Sequence, residues 1–227
     1  CPGVVMLSNL TFKVSSNSCL KDPVESELGK RILSQSISLL DEIGLEQFTF
    51  KKLAVSIGST EASVYRYFEN KHKLLVYLAN WYWSWLQNRI LIKTYNQSST
   101  FFKLETTIEI LASPIEQDDN FVFIDEKKLY RIIISEGAKV YLVKDVDAKN
   151  NEGAFLAYKG LCGLISELIL NINPKYKHSH TLASTIVETC HNQIFFSEHL
   201  PRLTDVSEDD YESLKEFVLH LTASAIQ

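Results

Sequence analysis

The side chains able to do chemistry in this 227-residue chain are few, and most are spaced for nothing catalytic. Cys1, Cys19, Cys162 and Cys190 include no C-x-x-C pair, which argues against a zinc knuckle or a thioredoxin-type site and fits a reducing compartment. His178, His180, His191 and His199 are separated by two, eleven and eight positions, so no pair stands four apart on one helical face, and no metal is expected. Cys162 and Cys190 read as structural thiols rather than oxidant sensors. No nucleophile-base-acid set, phosphate-cradling glycine loop or paired carboxylates stands out, so neither an enzyme nor a bound cofactor is expected. What remains is a stretch from Thr49 to Lys73 rich in hydroxyl, ammonium and guanidinium groups, whose chemistry is hydrogen bonding and charge.

That stretch needs short, well-aimed elements, and the local signals supply them. Asp22 followed by Pro23 and Glu25 reads as the start of a first helix, whose Leu28, Ile32, Leu39, Leu40 and Ile43 run to a left-handed cap at Gly44. Thr49 can cap a second helix bearing Phe50, Leu53, Ala54 and Ile57 on one face, ended by Gly58. Thr60 can cap a third unit of about nine residues in which Val64 and Phe68 face inward and Glu61, Ala62, Ser63, Tyr65 and Arg66 face out. Two short helices joined by a glycine-containing turn and braced by a longer one make a helix-turn-helix, whose second member fits a DNA major groove about 12 Å wide.

A long helix is expected over 71–97, with Leu74, Leu78, Trp81, Trp85 and Ile92 as an apolar stripe. Further helices are expected near 99–112, 124–142, 153–171, 179–199 and 207–226, with loops around Gln117 to Asn120 and Lys144 to Asn151. Residues 1–21 show no sustained period and read as an arm. The fold class is therefore all-α: a three-helix domain over 22–75, joined by the long helix to a helical bundle over 76–227.

Composition limits the partners. The chain carries 23 basic and 28 acidic residues, so it is no bulk polyanion binder. Residues 25–75 balance seven Lys/Arg against seven Asp/Glu, and the excess acid lies beyond residue 75. No apolar stretch approaches the length needed to cross a bilayer, so a cytoplasmic protein without a membrane partner is expected.

The run Gly44-Leu45-Glu46, Thr49-Phe50-Lys51-Lys52-Leu53-Ala54, Gly58 through Phe68 and Asn70-Lys71-His72-Lys73-Leu74-Leu75 resembles the DNA-binding domain of the TetR (tetracycline-repressor-like) family over about residues 26–75. A short recognition helix closing in Tyr-x-Tyr-Phe and a following Lys-x-x-Leu carry the resemblance. It implies a transcriptional regulator, most often a repressor released from its operator by a small molecule. It implies further that Thr49, Thr60, Tyr67 and Lys71 meet phosphates, while Lys51, Glu61, Ala62, Ser63 and Tyr65 lie near base edges, with Arg66 beside them. Hydroxyls and backbone N–H groups at helix starts suit phosphates, and Lys71 adds a full charge.

By the same resemblance the last two helices pair with a second copy, which makes a homodimer and requires a near-palindromic double-stranded operator. Ile186, Ile194, Phe195, Leu214, Phe217, Val218 and Leu221 are the apolar positions expected at that interface. Tyr82, Trp85, Phe101, Phe102, Tyr130 and Tyr158 are candidates to line an effector pocket for an apolar or aromatic ligand, although core packing would also use them. Ser59 and Glu61 depart from the family pattern, which has an apolar turn residue and Lys, Arg or Pro there. They motivate the rival reading, a helical ligand-binding or interaction protein without specific DNA recognition.

Overall fold

A computed structural model describes residues 14, 18–141, 144 and 146–227, and among them the chain is all-α, without a strand. The helices are α1 (Glu27–Gln47), α2 (Phe50–Ser56), α3 (Glu61–Tyr65), α4 (Lys71–Thr94), α5 (Thr100–Leu111), α6 (Glu126–Glu136), α7 (Ala138–Tyr141), α8 (Val146–Asn151), α9 (Leu156–Ile172), α10 (Ser179–His199) and α11 (Tyr211–Ile226). They fall into two compact units, one of residues 14–83 and 115–157 and one of 84–114 and 158–227. Most of the arm expected over 1–21 lies outside the described residues. Its last part is anchored, with Ser18 buried and the Leu20 N–H donating to the Tyr67 carbonyl at 2.7 Å.

In the first unit, Ile32, Leu33, Ile37 and Leu40 of α1 meet Phe48, Leu53, Val64 and Phe68 in a core from which water is excluded. Asp22 does act as a cap, but of a 3₁₀ turn over Pro23–Glu25; α1 proper starts after Ser26, whose hydroxyl accepts from Gly29 N–H at 3.1 Å. The helix therefore begins a turn later than its sequence signal. Gly44 has φ of 67°, the left-handed conformation expected of it, yet helical turns resume for three residues beyond it. From Leu74 to Trp83 α4 is buried on every side, as its unbroken apolar composition requires. It stops at Thr94 rather than 97, where the Gln97 N–H turns back to the Thr94 carbonyl.

The expected single helix over 124–142 is two, divided at Gly137, whose N–H still caps Ile133. The segment expected as a loop near 144–151 holds α8, with Asp147 in its first turn and Lys149 in its last, each at the end its charge favours.

In the second unit α10 and α11 pack on each other and both on α5. The bounds of α10 coincide with the expected 179–199, whereas α11 starts at Tyr211, capped by Asp210 instead of Ser207. Asp209 takes a positive φ of 64° just before it, which ends the preceding turn and displaces the start. Ile186, Ile194, Leu214 and Val218 are buried within this single chain. Of the apolar positions expected at an interface between copies, Phe217 is exposed and Phe195 and Leu221 are half-buried. The other four are already used by the packing of α10 and α11 against their own bundle.

Candidate nucleic-acid interface

The turn between α2 and α3 depends on Gly58, whose φ of 59° a side chain would strain. With that turn made, Thr60 adopts an extended conformation and its Oγ1 accepts from Ser63 N–H at 3.3 Å, opening α3. Val64 and Phe68 are fully buried beneath it, which orients the helix. Glu61, Ala62, Tyr65 and Arg66 are left exposed and Ser63 half-buried, the division expected from spacing. Tyr65 is braced as well as exposed, its ring edge-on to Phe50 at 5.0 Å.

On α2, Thr49 caps the first turn through its hydroxyl to Lys52 N–H at 3.2 Å, and both Thr49 and Lys51 are exposed. Lys52 is exposed along its length while its ammonium donates to the Gln47 carbonyl at 2.9 Å. Arg31 of α1 reaches the Ile57 carbonyl at the end of α2, fastening the turn from below.

Two residues expected at phosphates have other partners. Tyr67 is only 3% exposed, and its hydroxyl bonds to Ser26 Oγ at 2.7 Å, tying the end of α3 to the cap of α1. The ammonium of Lys71 donates to the carbonyls of Leu45, Glu46 and Phe48 at 2.8, 3.2 and 3.3 Å. That uses its three protons and clamps the start of α4 to the last turn of α1. Lys21, which sequence reasoning passed over, stands over the Tyr67 ring at 5.3 Å and is exposed beside α3.

A second set of contacts, also absent from the sequence reading, joins α6 to α1. Arg131 forms a bidentate pair with Asp41 at 2.8 and 2.7 Å. The Glu136 carboxylate accepts from Leu45 N–H at 3.0 Å, the amide freed where Gly44 interrupts α1, and its other oxygen pairs with Lys139 at 2.7 Å. Lys139 also reaches Glu46 at 3.1 Å. The last turn of α1 is thus held by α6, α7 and α4 together.

The six aromatic residues expected at a pocket divide between the two units. In the first, Tyr82 and Tyr130 lie with ring centroids 6.3 Å apart. In the second, Trp85 is buried beneath the Arg89 guanidinium, and Tyr158 donates to Glu188 Oε1 at 2.7 Å. Phe101 and Phe102 are more than half exposed. A cavity of about 600 Å³ does lie in the second unit, and of the six only Phe101 borders it.

Residues 32–78 match the model of the bacterial regulatory proteins of the tetR family. That segment is a tetR-type DNA-binding domain. Its helix-turn-helix is therefore the DNA-binding part of a transcriptional regulator. The fold is shared over almost the whole length of several solved structures. AibR in complex with isovaleryl coenzyme A and operator DNA is 14% identical with a TM-score of 0.58, matched over 85% of this chain and 97% of that one. Superantigen PfiT is 11% identical with a TM-score of 0.60, over 85% and 95%. The fatty acid degradation regulator FadR from Bacillus halodurans is 15% identical with a TM-score of 0.55, over 85% and 92%. No curated protein matches the chain. Among the described residues no helix is long and apolar enough to cross a membrane.

Proposed function

We propose that this TetR-family protein is a homodimeric repressor that holds a near-palindromic operator through two copies of α3 and leaves it when a small molecule binds the bundle of the second unit. The observation that carries the reading is the two-sided character of α3: Val64 and Phe68 are fully buried while Glu61, Ala62, Tyr65 and Arg66 are exposed. Its free side offers a tyrosine braced against Phe50, an arginine and a carboxylate, groups able to hydrogen-bond base edges and phosphates. In this reading Ala62, Ser63 and Tyr65 meet base edges, and Glu61 accepts from a cytosine amino group. Thr49, Lys51, Thr60 and Arg66 meet phosphates. Tyr67 and Lys71 act one step back, holding α3 and the end of α1 in place.

The dimer in this reading forms through the outward faces of α10 and α11, where Thr181, Thr185, Asn192, Phe217 and Ser224 are exposed. Two-fold symmetry then sets the half-site spacing at about one DNA turn. Because the DNA-binding domain has no net charge, affinity depends on two copies binding together. Release follows from a ligand that favours one disposition of α4 over another, and a few kcal/mol of differential binding gives about a hundredfold change in occupancy.

Selection of bound fragments from random double-stranded DNA tests the reading directly. A palindromic consensus is the expected result, with Tyr65→Ala and Arg66→Ala each weakening binding by about tenfold or more. Failure to enrich any sequence refutes it and favours the rival reading, a helical ligand-binding protein without specific DNA recognition.

A further inference from the structure

The cavity in the second unit has a definite chemical character. It opens between α5, the end of α9 and α11, and its volume of about 600 Å³ lies within the range of small-molecule sites. Leu104, Ile108, Ile172, Leu219 and Ile226 make its walls apolar. The polar groups that border it are few. Asn173 is already committed, its amide N–H donating to the Ile226 carbonyl at 2.8 Å and its oxygen accepting from Lys175 N–H at 3.0 Å. Thr222 is 2% exposed, and its hydroxyl has no hydrogen-bond partner among the described residues, an expensive condition for a buried polar group unless something in the cavity meets it. His220 and Gln227 border it from exposed positions, Glu105 supplies the lining's one carboxylate side chain, and no lysine or arginine borders the cavity. The ammonium of Lys215, which senses Glu105 and Glu109 from nearby, is paired with Glu212 at 2.6 Å.

We propose that this cavity is the effector site and that it selects lipophilic organic cations, molecules with an apolar body and a protonated amine. A carboxylate or phosphate ligand would bring a second negative charge beside Glu105, and the lining offers it no lysine or arginine, only the exposed imidazole of His220. An ammonium finds the reverse. The Glu105 carboxylate and the Thr222 oxygen both accept hydrogen bonds, and Phe101, one helical turn before Glu105 on α5, adds an exposed ring at the mouth. The apolar walls take the rest of the molecule. The site differs in chemistry from one for an acyl coenzyme A, whose phosphates need cations. Its role as effector site rests on the proposed DNA-binding function; its ligand preference does not.

The test uses the full chain at neutral pH, without DNA, in calorimetric titrations with dodecylamine and dodecanoate below their micellar concentrations and dodecanol below its solubility limit. Dodecylamine is expected to bind at least tenfold tighter than dodecanoate. Glu105→Gln should remove that preference and leave dodecylamine no tighter than dodecanol. Ala223→Phe, which fills the cavity from an exposed position on α11, should abolish binding of all three with an unchanged circular dichroism spectrum. Dodecanoate binding as tightly as the amine, a preference that survives Glu105→Gln, or binding unaffected by Ala223→Phe would each overturn the proposal. A final titration asks whether dodecylamine lowers affinity for the selected DNA fragment at least tenfold; an unchanged affinity sinks the effector role. A chain that selects no DNA at all removes the proposed function instead, and the ligand preference is then judged on calorimetry alone.

Discussion

Glu126 opens α6, the helix that holds α1, and it is completely buried. One carboxylate oxygen accepts from Asp118 N–H at 3.3 Å, and the other has no hydrogen-bond partner among the described residues. Burial pushes its pKa up from 4.5 to about 7; backbone amides, its own and that of Asp118, oppose that rise, and the negative charges of Asp118 and Asp125 add to it. The native protein thus favours the protonated acid. Below pH 4.5 the group is protonated whether the chain is folded or not, and its stabilising contribution is complete. As pH rises from 4.5 the unfolded chain ionises while the folded one does not, so stability declines until about pH 7, where the native carboxyl ionises as well. At about 1.36 kcal/mol per pKa unit the decline amounts to about 3 kcal/mol. Glu126→Gln keeps an acceptor for Asp118 N–H and has no proton to lose. Its unfolding free energy relative to the parent protein should therefore grow by about 3 kcal/mol between pH 4.5 and 7.5, whatever constant offset the amide introduces. Urea unfolding followed by tryptophan fluorescence at several pH values across that range measures the difference. Parallel profiles for the two proteins would mean that the native carboxylate is ionised and satisfied, and the account of Glu126 would be wrong.

His191 has the opposite sign: burial lowers its pKa from 6.5 to about 4, so its contribution is present above pH 6.5 and is lost as pH falls toward 4. His191→Gln should flatten that acid limb by about 3 kcal/mol in the same urea series. Glu136→Ala leaves the Leu45 amide without its acceptor and should cost about 1–3 kcal/mol, with the loss of Leu45 protection in amide hydrogen exchange as its specific mark. Gly58→Ala meets no atom within 4 Å, so its cost is conformational alone, about 1–2 kcal/mol by thermal unfolding. Tyr67→Phe breaks the bond to Ser26 and should lower stability by about 1 kcal/mol. If Tyr67 is only a support, DNA binding measured well below the melting temperature will be nearly unchanged, whereas a loss of tenfold or more would restore it to the phosphate contacts.

What could be read from the sequence was mostly local. Gly58, Thr60, Val64 and Phe68 lie within eleven residues and between them dictate where α3 starts and which side it buries. The apolar repeat of α10 was likewise legible, but periodicity says that a face is covered without saying by what. The resemblance places Ile186, Ile194, Leu214 and Val218 against a second copy, whereas their own chain covers them. Cap signals compete at short range, and Ser26 and Asp210 displaced Asp22 and Ser207 as the caps of α1 and α11 because the preceding turns are tighter than α-helix. The partners of Lys71 could not be found, since three backbone carbonyls some 25 positions earlier leave no trace in residue type. Nor could the pairing of Glu136 with Leu45, which spans 91 positions.

The hydrogen bond from Leu20 to Tyr67 has a practical meaning for anyone who handles this protein. It ties the chain at Leu20 to the end of α3, so the segment entering from Ser18 supports the helix proposed to read DNA. Trimming the protein up to Leu20 would remove that support together with the buried Ser18, and a shortened version should keep both.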